Sequence, residues 1–313
     1  MSSTPFFTRH LTATTVEPPA GARALVLGGG GSTGNAWLIG VVAGLFDAGL
    51  DVTGADLIIG TSAGSTAAAQ ITGASPARLL ADIMSAVLPQ RSGPSGPGGG
   101  RGPVVSAADR MRRTSEIIAA AQDPADMRRR MGAAALESDA GSDGSAQARW
   151  RDVVAARLPS PQWPRQRVLI TAVDAETGEP VVFDRHSGVD LVDAIAASCA
   201  NGFPYGIGGS RYIDGGYRRS SENADLAAGY ERVLVLSPLG GRTLHPPEWN
   251  MQLAAQADEL RAGGSRVETI LPDDGAEHLF GANAMDLSLR APAARAGHDQ
   301  GAALAGQLAE LWR

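Results

Sequence analysis

The chain has 313 residues, of which 43% are hydrophobic and 19% charged, and its 27 basic and 33 acidic side chains give a net charge of −6. This composition is typical of a globular protein, and it excludes fibrous classes because the 40 glycines have no three-residue period. The acidic balance gives no electrostatic footprint for nucleic acid, so no nucleic-acid partner is expected. The single cysteine, Cys199, excludes an internal disulfide framework and favours a reducing compartment, which we expect to be the cytoplasm.

The first part of the chain is interpreted as a loose tail followed by two strand–turn–helix units. Residues 1–22 lack the basic and apolar regions of a secretory signal and are predicted to form the tail. Residues 23–27 are a short apolar run, and residues 35–48 carry apolar side chains at helical spacing. A strand at 56–59 and a helix at 65–72 repeat this order, which predicts a parallel sheet covered by helices. No apolar run in this part approaches the ~20 residues that a membrane-spanning helix needs.

The middle of the chain is predicted to be a helical cap inserted at about residues 85–165. It includes the stretch 91–103, whose Gly, Pro and Ser residues cannot pack a core and predict a loop. Residues 104–158 are rich in Ala, Arg and Asp and are predicted to be helical. The basic stretch 110–131 leaves two interpretations open: a transient contact with a membrane surface, or a solvated helix pair whose arginines meet neighbouring acids.

The second half of the chain returns to strands. The predicted elements are a hairpin of strands 167–173 and 180–183, an apolar helix at 189–199, strands at 211–213, 232–236 and 267–271, and closing helices. Residues 23–313 are therefore predicted to form a single α/β domain. We expect a three-layer α/β/α fold with a mainly parallel central sheet and the helical insertion.

The segment Gly60-Thr61-Ser62-Ala63-Gly64 fits the G-x-S-x-G pattern of a nucleophile elbow. In such an elbow Gly60 and Gly64 let the chain turn sharply from strand to helix, and Ser62 protrudes at the tip. The helix that follows directs unpaired amides and its dipole at developing negative charge. The alternative interpretation is an ordinary tight turn in which the serine caps the helix.

A second glycine-rich turn, GGGGSTG, follows the first strand. Its unobstructed amides suit either an oxyanion hole or a phosphate cradle. Gly29, Gly31 and Gly34 also satisfy G-x-G-x-x-G, with Asp51 or Asp56 about 20 residues further on. A Rossmann-type dinucleotide-binding oxidoreductase is therefore an alternative function.

The third motif is Asp214-Gly215-Gly216 after a short strand. An aspartate at a strand end, followed by two glycines, can direct its carboxylate into a cleft and accept a proton from a serine hydroxyl. By itself the motif is also compatible with a simple turn.

These three motifs, in this order, resemble the patatin-like acyl hydrolase family. The resemblance extends through DLIIGTSAGS, RVLITAVDAETGEPVVFD, DAIAASCANGFPYG and RYIDGGYRRSSENADLA. It implies a patatin-like fold and an esterase or phospholipase A-like activity on a lipid or small ester. It further implies that Ser62 is the nucleophile, that Asp214 completes a Ser-Asp dyad, and that no metal or cofactor is needed. By the same resemblance, Gly29, Gly30 and Gly31 would form the oxyanion loop.

Two positions depart from the family's pattern. Thr33 stands where the family's glycine loop usually carries Arg or Lys, which leaves a preference for phospholipid head groups open. Asn223-Ala224 replaces the asparagine-proline that often follows the aspartate motif. Neither change affects the dyad.

Further alternatives concern other candidate groups. His278 or His298 follows Asp214 in the order of a Ser-Asp-His triad, although the five histidines lie in no recognisable motif and show no metal-ligand spacing. Cys199 is interpreted as a packed side chain. A catalytically inactive patatin-like scaffold that serves as a binding module is the last alternative.

Overall fold

An eight-stranded mixed sheet forms the centre of the molecule. The structure, a computed structural model, describes residues 18–87, 107–141 and 143–313. Most of the predicted tail and the whole Gly/Pro/Ser stretch 91–103 lie outside these residues. Within them, no helix combines the length and apolarity needed to cross a bilayer.

Neighbouring strands in the series β5-β6-β3-β2-β1-β7-β8 are hydrogen-bonded to each other, and β4 also pairs with β3. They are β1 (Arg23–Leu27), β2 (Leu57–Gly60), β3 (Arg167–Asp174), β4 (Pro180–Phe183), β5 (Tyr205–Ile207), β6 (Ser210–Asp214), β7 (Arg232–Leu236) and β8 (Arg266–Ile270). Strands β1, β2, β3, β7 and β8 are parallel, whereas β4 and β6 run antiparallel to β3 and β5 runs antiparallel to β6. The sheet is thus mainly parallel, as predicted.

Helices cover both faces of the sheet. They are α1 (Gly31–Asp47), α2 (Ala63–Gly73), α3 (Pro76–Ser85), α4 (Ala107–Ala120), α5 (Pro124–Ser138), α6 (Ser145–Ala155), α7 (Leu191–Ser198), α8 (Leu253–Ala262) and α9 (Arg290–Trp312). The larger core contains residues of α1, α2, α7 and α9 on one face, and a second core contains residues of α8 on the other. The central parallel strands are continuous apolar runs because both of their faces are buried.

Helix α1 is almost entirely buried, and α9 lies directly against it. A methyl group at Gly40 would overlap the carbonyl oxygen of Ala294, and one at Gly297 would overlap that of Trp37. Small residues on both helices therefore permit this close backbone approach. The C-terminal helix consequently supports the helix that begins at the glycine cluster.

Two local predictions differ from the structure. Helix α1 begins at Gly31 and not at residue 35, because the last glycines of GGGGSTG already form its first turn. The sequence predicts a loop where the structure has strand β5, because this strand has only three residues and a central glycine, Gly206. The segment is a strand because it pairs with β6.

The predicted helical insertion corresponds to α4, α5 and α6. Met127 and Met131 of α5 pack with Val173 and Ile213 in a small apolar cluster. Arg112 pairs with Glu116 at 2.9 Å, and other arginines of the basic stretch also meet acids, which favours the interpretation of solvated helices. That these helices cap the site stays a prediction.

Candidate active site

The register of β3 brings two distant segments together. Gly60, the last residue of β2, is opposite Ile170, and Asp214, the last residue of β6, is opposite Ala172. Ile170 and Ala172 of β3 also both pair with β4, which occupies one edge of β3 there. Strands β2 and β6 therefore both lie along the opposite edge of β3. Their ends are therefore separated by only two residues of β3, roughly 7 Å. The elbow and the aspartate turn meet at this point.

Ser62 lies at the tip of a strained turn between β2 and α2. Its backbone has φ 52° and ψ −117°, a region that non-glycine residues rarely adopt and that often marks functional sites. Its Oγ donates a hydrogen bond to Asp214 Oδ2 at 2.8 Å. A side chain at Gly64 would overlap the carbonyl oxygen of Leu27, so the turn is compatible only with glycine there. The two residues named as nucleophile and base are thus in direct contact.

Asp214 is 5% exposed and has no cationic partner among its described contacts. Burial raises the pKa of its carboxyl group to about 6, while the Gly216 amide and the Ser62 hydroxyl oppose this shift by donating to the carboxylate. The Gly216 N–H donates to Oδ1 at 2.8 Å, which leaves Oδ2 facing Ser62. A side chain at Gly215 would overlap Thr171. The group is ionised at neutral pH and basic enough to accept a proton.

Asn223 connects the two halves of the site. It is fully buried, and its Nδ2 lies 3.0 Å from Thr61 Oγ1 and 2.9 Å from the Gly215 carbonyl oxygen. Thr171 Oγ1 lies 3.3 Å from the same nitrogen. One amide thus connects the elbow strand, β3 and the aspartate turn. The sequence placed Asn223 after the aspartate motif but gave no indication of this contact.

Replacing Asn223 by alanine is expected to lower the free energy of unfolding by about 2–4 kcal/mol, because buried acceptors lose their donor and alanine tolerates a positive φ poorly. Asn250 is the matched control, since it is exposed and has φ 51° against 54° at Asn223. Asn250→Ala reports the backbone cost together with the loss of one long, exposed hydrogen bond to the Glu248 carbonyl oxygen. Urea denaturation of both variants measures the difference. Equal losses would mean that the Asn223 side-chain contacts contribute nothing.

Ser198, at the end of α7, is a second contact that the sequence did not indicate. Its buried Oγ accepts a hydrogen bond from the Ser62 N–H at 2.9 Å. This bond uses the amide of the nucleophile itself and so excludes it as an oxyanion donor in this conformation. The amide of the next residue, Ala63, begins α2 and has no acceptor among the described residues.

The glycine cluster lies beside the elbow, and a methyl group added at Gly29 would contact Ser62 Cβ at 3.6 Å. The three glycines named for the oxyanion loop do not present equivalent amides. The Gly29 N–H donates to the Ser221 carbonyl at 2.8 Å and is not free to bind an oxyanion. The amides of Gly30 and Gly31 have no acceptor within the described part of the chain. Of these three amides, those of Gly30 and Gly31 are available to a ligand, and a role of the loop as an oxyanion hole stays a prediction.

The buried carboxylate of Glu222 lies next to the glycine cluster. The hydroxyls of Ser220, Ser221 and Ser237 each donate to it at 2.6 Å. Ser221 is also the residue whose carbonyl holds Gly29, so this cluster fixes the base of the glycine turn.

Arg290 brings a guanidinium group to the other end of the glycine cluster. It lies at the start of α9, and its Nη1 donates to the Ser32 carbonyl at 2.7 Å and to the Ser32 hydroxyl at 3.0 Å. Nη2 donates to Asn35 Oδ1 at 3.2 Å. Thr33, which occupies the family's usual basic position, is buried, and its hydroxyl has no hydrogen-bond partner among the residues that the structure describes. A cation from a distant part of the sequence is thus bound next to that position.

None of the four described histidines takes part in the contacts between Ser62 and Asp214. His298 pairs with Asp47 at 3.0 Å, and His278 contacts the Gly275 carbonyl at 3.0 Å. His245 contacts Thr243, and His10 lies outside the described residues. The triad order noted in the sequence does not correspond to a triad in space.

The acidic residues required by the dinucleotide alternative lie at the wrong end of the sheet. Asp56 Oδ2 accepts the N–H of Arg23 at the start of β1, whereas the glycine cluster follows the end of β1. Asp51 accepts the N–H of Thr53 in the turn before β2. A strand length, roughly 15 Å, therefore separates these carboxylates from the glycines, and the ribose contact of a Rossmann site cannot form.

Cys199 lies near α2 with its Sγ 3.7 Å from Ser65 Oγ. Burial raises the pKa of this thiol to about 11, so it is neutral at physiological pH. This agrees with its interpretation as a packed side chain. Among the described residues, no group of three or more His, Cys, Asp or Glu side chains could hold a metal ion.

The solved structures that are similar to this chain include two that cover 93% of it. VipD from Legionella pneumophila has 14% identity and a TM-score of 0.41, with 68% of that chain covered. The type III effector protein ExoU has 16% identity and a TM-score of 0.35, with 54% of that chain covered. No curated protein matches the chain.

The sequence model of the patatin-like phospholipase family matches residues 25–228. This segment is well over half of the 313 residues, and it contains Ser62, Asp214 and the glycine cluster. The protein belongs to the patatin-like phospholipase family.

Proposed function

We propose that this protein is a serine acyl hydrolase that cleaves carboxylic esters of lipids through a Ser62–Asp214 dyad. Membership of a phospholipase family supports the hydrolysis of lipids in general. The observation that carries the finer proposal is the 2.8 Å hydrogen bond from Ser62 Oγ to Asp214 Oδ2. It lies at a strained elbow and beside amides without acceptors, which is the arrangement that acyl transfer requires.

In the first step, Ser62 Oγ attacks the ester carbonyl carbon while Asp214 accepts the hydroxyl proton. The carbonyl oxygen gains negative charge, which the amides of Gly30 and Gly31 stabilise. Loss of one such donor typically costs about 10²–10³ in rate. The start of α2 adds its dipole to this stabilisation. Collapse of the tetrahedral intermediate transfers the proton from Asp214 to the leaving alcohol.

In the second step, a water molecule gives a proton to Asp214 and attacks the acyl-enzyme. The carboxylic acid leaves, and the proton on Asp214 returns to Ser62 Oγ. Each proton thus passes between the dyad, the alcohol and water, and the proposed route needs no metal ion or cofactor. The rigid contacts of Asn223 and Gly216 keep Oδ2 directed at Ser62 throughout.

The pH profile of ester hydrolysis tests this proposal. Because Asp214 must be ionised to accept a proton, kcat/KM for p-nitrophenyl butyrate is expected to rise with pH around a midpoint of about 6 and to level off above neutrality. The profile is then measured for the single Ala variants of the four described histidines, which are His186, His245, His278 and His298. We expect each variant to retain the midpoint and the plateau. Loss of activity in one histidine variant would contradict the dyad and favour a triad.

A further inference from the structure

A cavity of about 380 Å³ lies among α1, α2, α3 and the start of α9. This volume is at the lower end of the range of about 300–1,000 Å³ found for small-molecule sites. Its apolar wall includes Ile39, Leu79, Ile83 and Leu158, and its polar wall includes three arginines and Asp82. Gln70 of α2 also lines the cavity. It lies eight residues after Ser62, so the two residues are roughly 12 Å apart along the helix axis.

Arg290 is one of these three arginines, and its position is fixed before any ligand binds. Its guanidinium donates three hydrogen bonds to Ser32 and Asn35 and has no acidic partner among the described residues. A guanidinium carries five N–H donors, so two stay available. Burial, with a smaller contribution from the charge of Arg157, lowers the pKa of Arg290, which indicates that nothing nearby neutralises it. It still carries its charge at neutral pH.

Arg157 is the second cation of the cavity. Its guanidinium lies 5.6 Å from the centre of the Trp150 ring, and it forms no ion pair with the described acids. Its backbone is held in place because Gln70 donates to its carbonyl oxygen at 3.1 Å. The third arginine, Arg78, pairs with Asp82 at 3.8 Å. The lining therefore has two uncompensated positive charges in a chain whose net charge is −6.

We propose that this cavity binds an anionic amphiphile, with a carboxylate or phosphate head between Arg157 and Arg290 and a short alkyl chain along the apolar wall. Arginine suits this role because its fork of donors matches the oxygens of either head group. Both residues line the cavity and neither guanidinium group pairs with a described acid, so a bound oxyanion would offset their positive charge. This proposal does not depend on ester hydrolysis, because the cavity and its cations are separate from Ser62 and Asp214.

Isothermal titration calorimetry on the full chain tests the proposal with probes that contain no carboxylic ester, so the proposed dyad cannot turn them over. The probes are octanoate, octyl phosphate, octanol and inorganic phosphate. We expect octanoate or octyl phosphate to bind, and octanol and inorganic phosphate to bind at least tenfold more weakly. The stronger of the two anionic probes identifies the head group. Equal binding of octanol would overturn the role of the arginines, and equal binding of inorganic phosphate would overturn the role of the apolar wall.

Arg157→Gln is expected to weaken binding of the preferred anionic probe by about tenfold or more, since a charge-assisted contact is lost. Arg149→Gln is the matched control, because Arg149 is an exposed arginine of the nearby helix α6 and does not line the cavity. Arg290→Gln should also weaken binding of this probe, and Arg290→Lys should bind it more tightly than Arg290→Gln does. Thermal unfolding of each variant checks that its fold is intact. An Arg157→Gln protein that binds as tightly as the control would refute the site.

Discussion

Replacing Ser62 by alanine is expected to reduce kcat for a p-nitrophenyl ester by about 10⁴–10⁶-fold, because removal of the nucleophile leaves only the surrounding amides to assist water. Among the described residues Ser62 Oγ forms a hydrogen bond only with Asp214, so the change removes one hydrogen bond and leaves a small gap. Steady-state kinetics and thermal unfolding of the same preparation separate loss of chemistry from loss of fold.

The matched control is Ser85→Ala, since Ser85 is an exposed serine of α3 whose hydroxyl bonds only to its own helix. It should hydrolyse the ester at the wild-type rate. A fluorophosphonate probe should label the wild type and the control but not Ser62→Ala. If the wild type is neither labelled nor active on any ester, the protein is the inactive binding module, and if Ser62→Ala turns over normally the dyad is refuted.

Replacing Asp214 by asparagine is expected to lower kcat/KM by about 10²–10⁴-fold, because asparagine cannot accept the proton of Ser62. The amide has nearly the same shape, and its oxygen can still accept the Gly216 N–H that now binds Oδ1. The activity that remains should lose the ionisation near pH 6. Asp184→Asn, a change at another buried aspartate, should retain both rate and pH profile.

The same substitution is expected to change the pH dependence of stability. The pKa of Asp214 is about 6 in the folded chain, against an ordinary value of 3.8, so the folded state holds this proton more tightly than the unfolded state does. The contribution of Asp214 to the free energy of unfolding therefore falls as the pH rises from about 4 to above 6, by roughly 1–3 kcal/mol. Asp214→Asn lacks this decrease and should be the more stable protein at pH 7.5. Urea denaturation at several pH values measures it, and parallel curves for the two proteins would contradict the burial of the carboxylate.

Features with a local cause were predictable from the sequence. The elbow and the aspartate turn are short runs in which glycine is required, and the overlaps at Gly64 and Gly215 explain why no other residue type fits. The strands of the central sheet were predicted because they are buried on both faces and appear as continuous apolar runs. Their end positions were correct to within one or two residues.

Features that depend on long-range contacts were not predictable. The Gly29 N–H donates to the carbonyl oxygen of Ser221, which is 192 residues away in the sequence. The glycine pattern alone therefore could not show which of its amides are available to a ligand. Ser198 and Asn223 act through contacts to residues more than 100 positions earlier. Arg290 meets Ser32 across 258 positions. Such contacts depend on the register of the sheet and on helix packing, which leave no signature in a single sequence.

The packing of α9 on α1 has a consequence for biosynthesis. The segment that matches the family ends at residue 228, yet the helix that follows the glycine cluster lies against α9, which begins at Arg290. A nascent polypeptide that has just emerged through residue 228 contains Ser62 and Asp214, but it lacks the helix that packs most extensively against α1. We therefore expect the packing of α1 to be completed only after α9 has been synthesised.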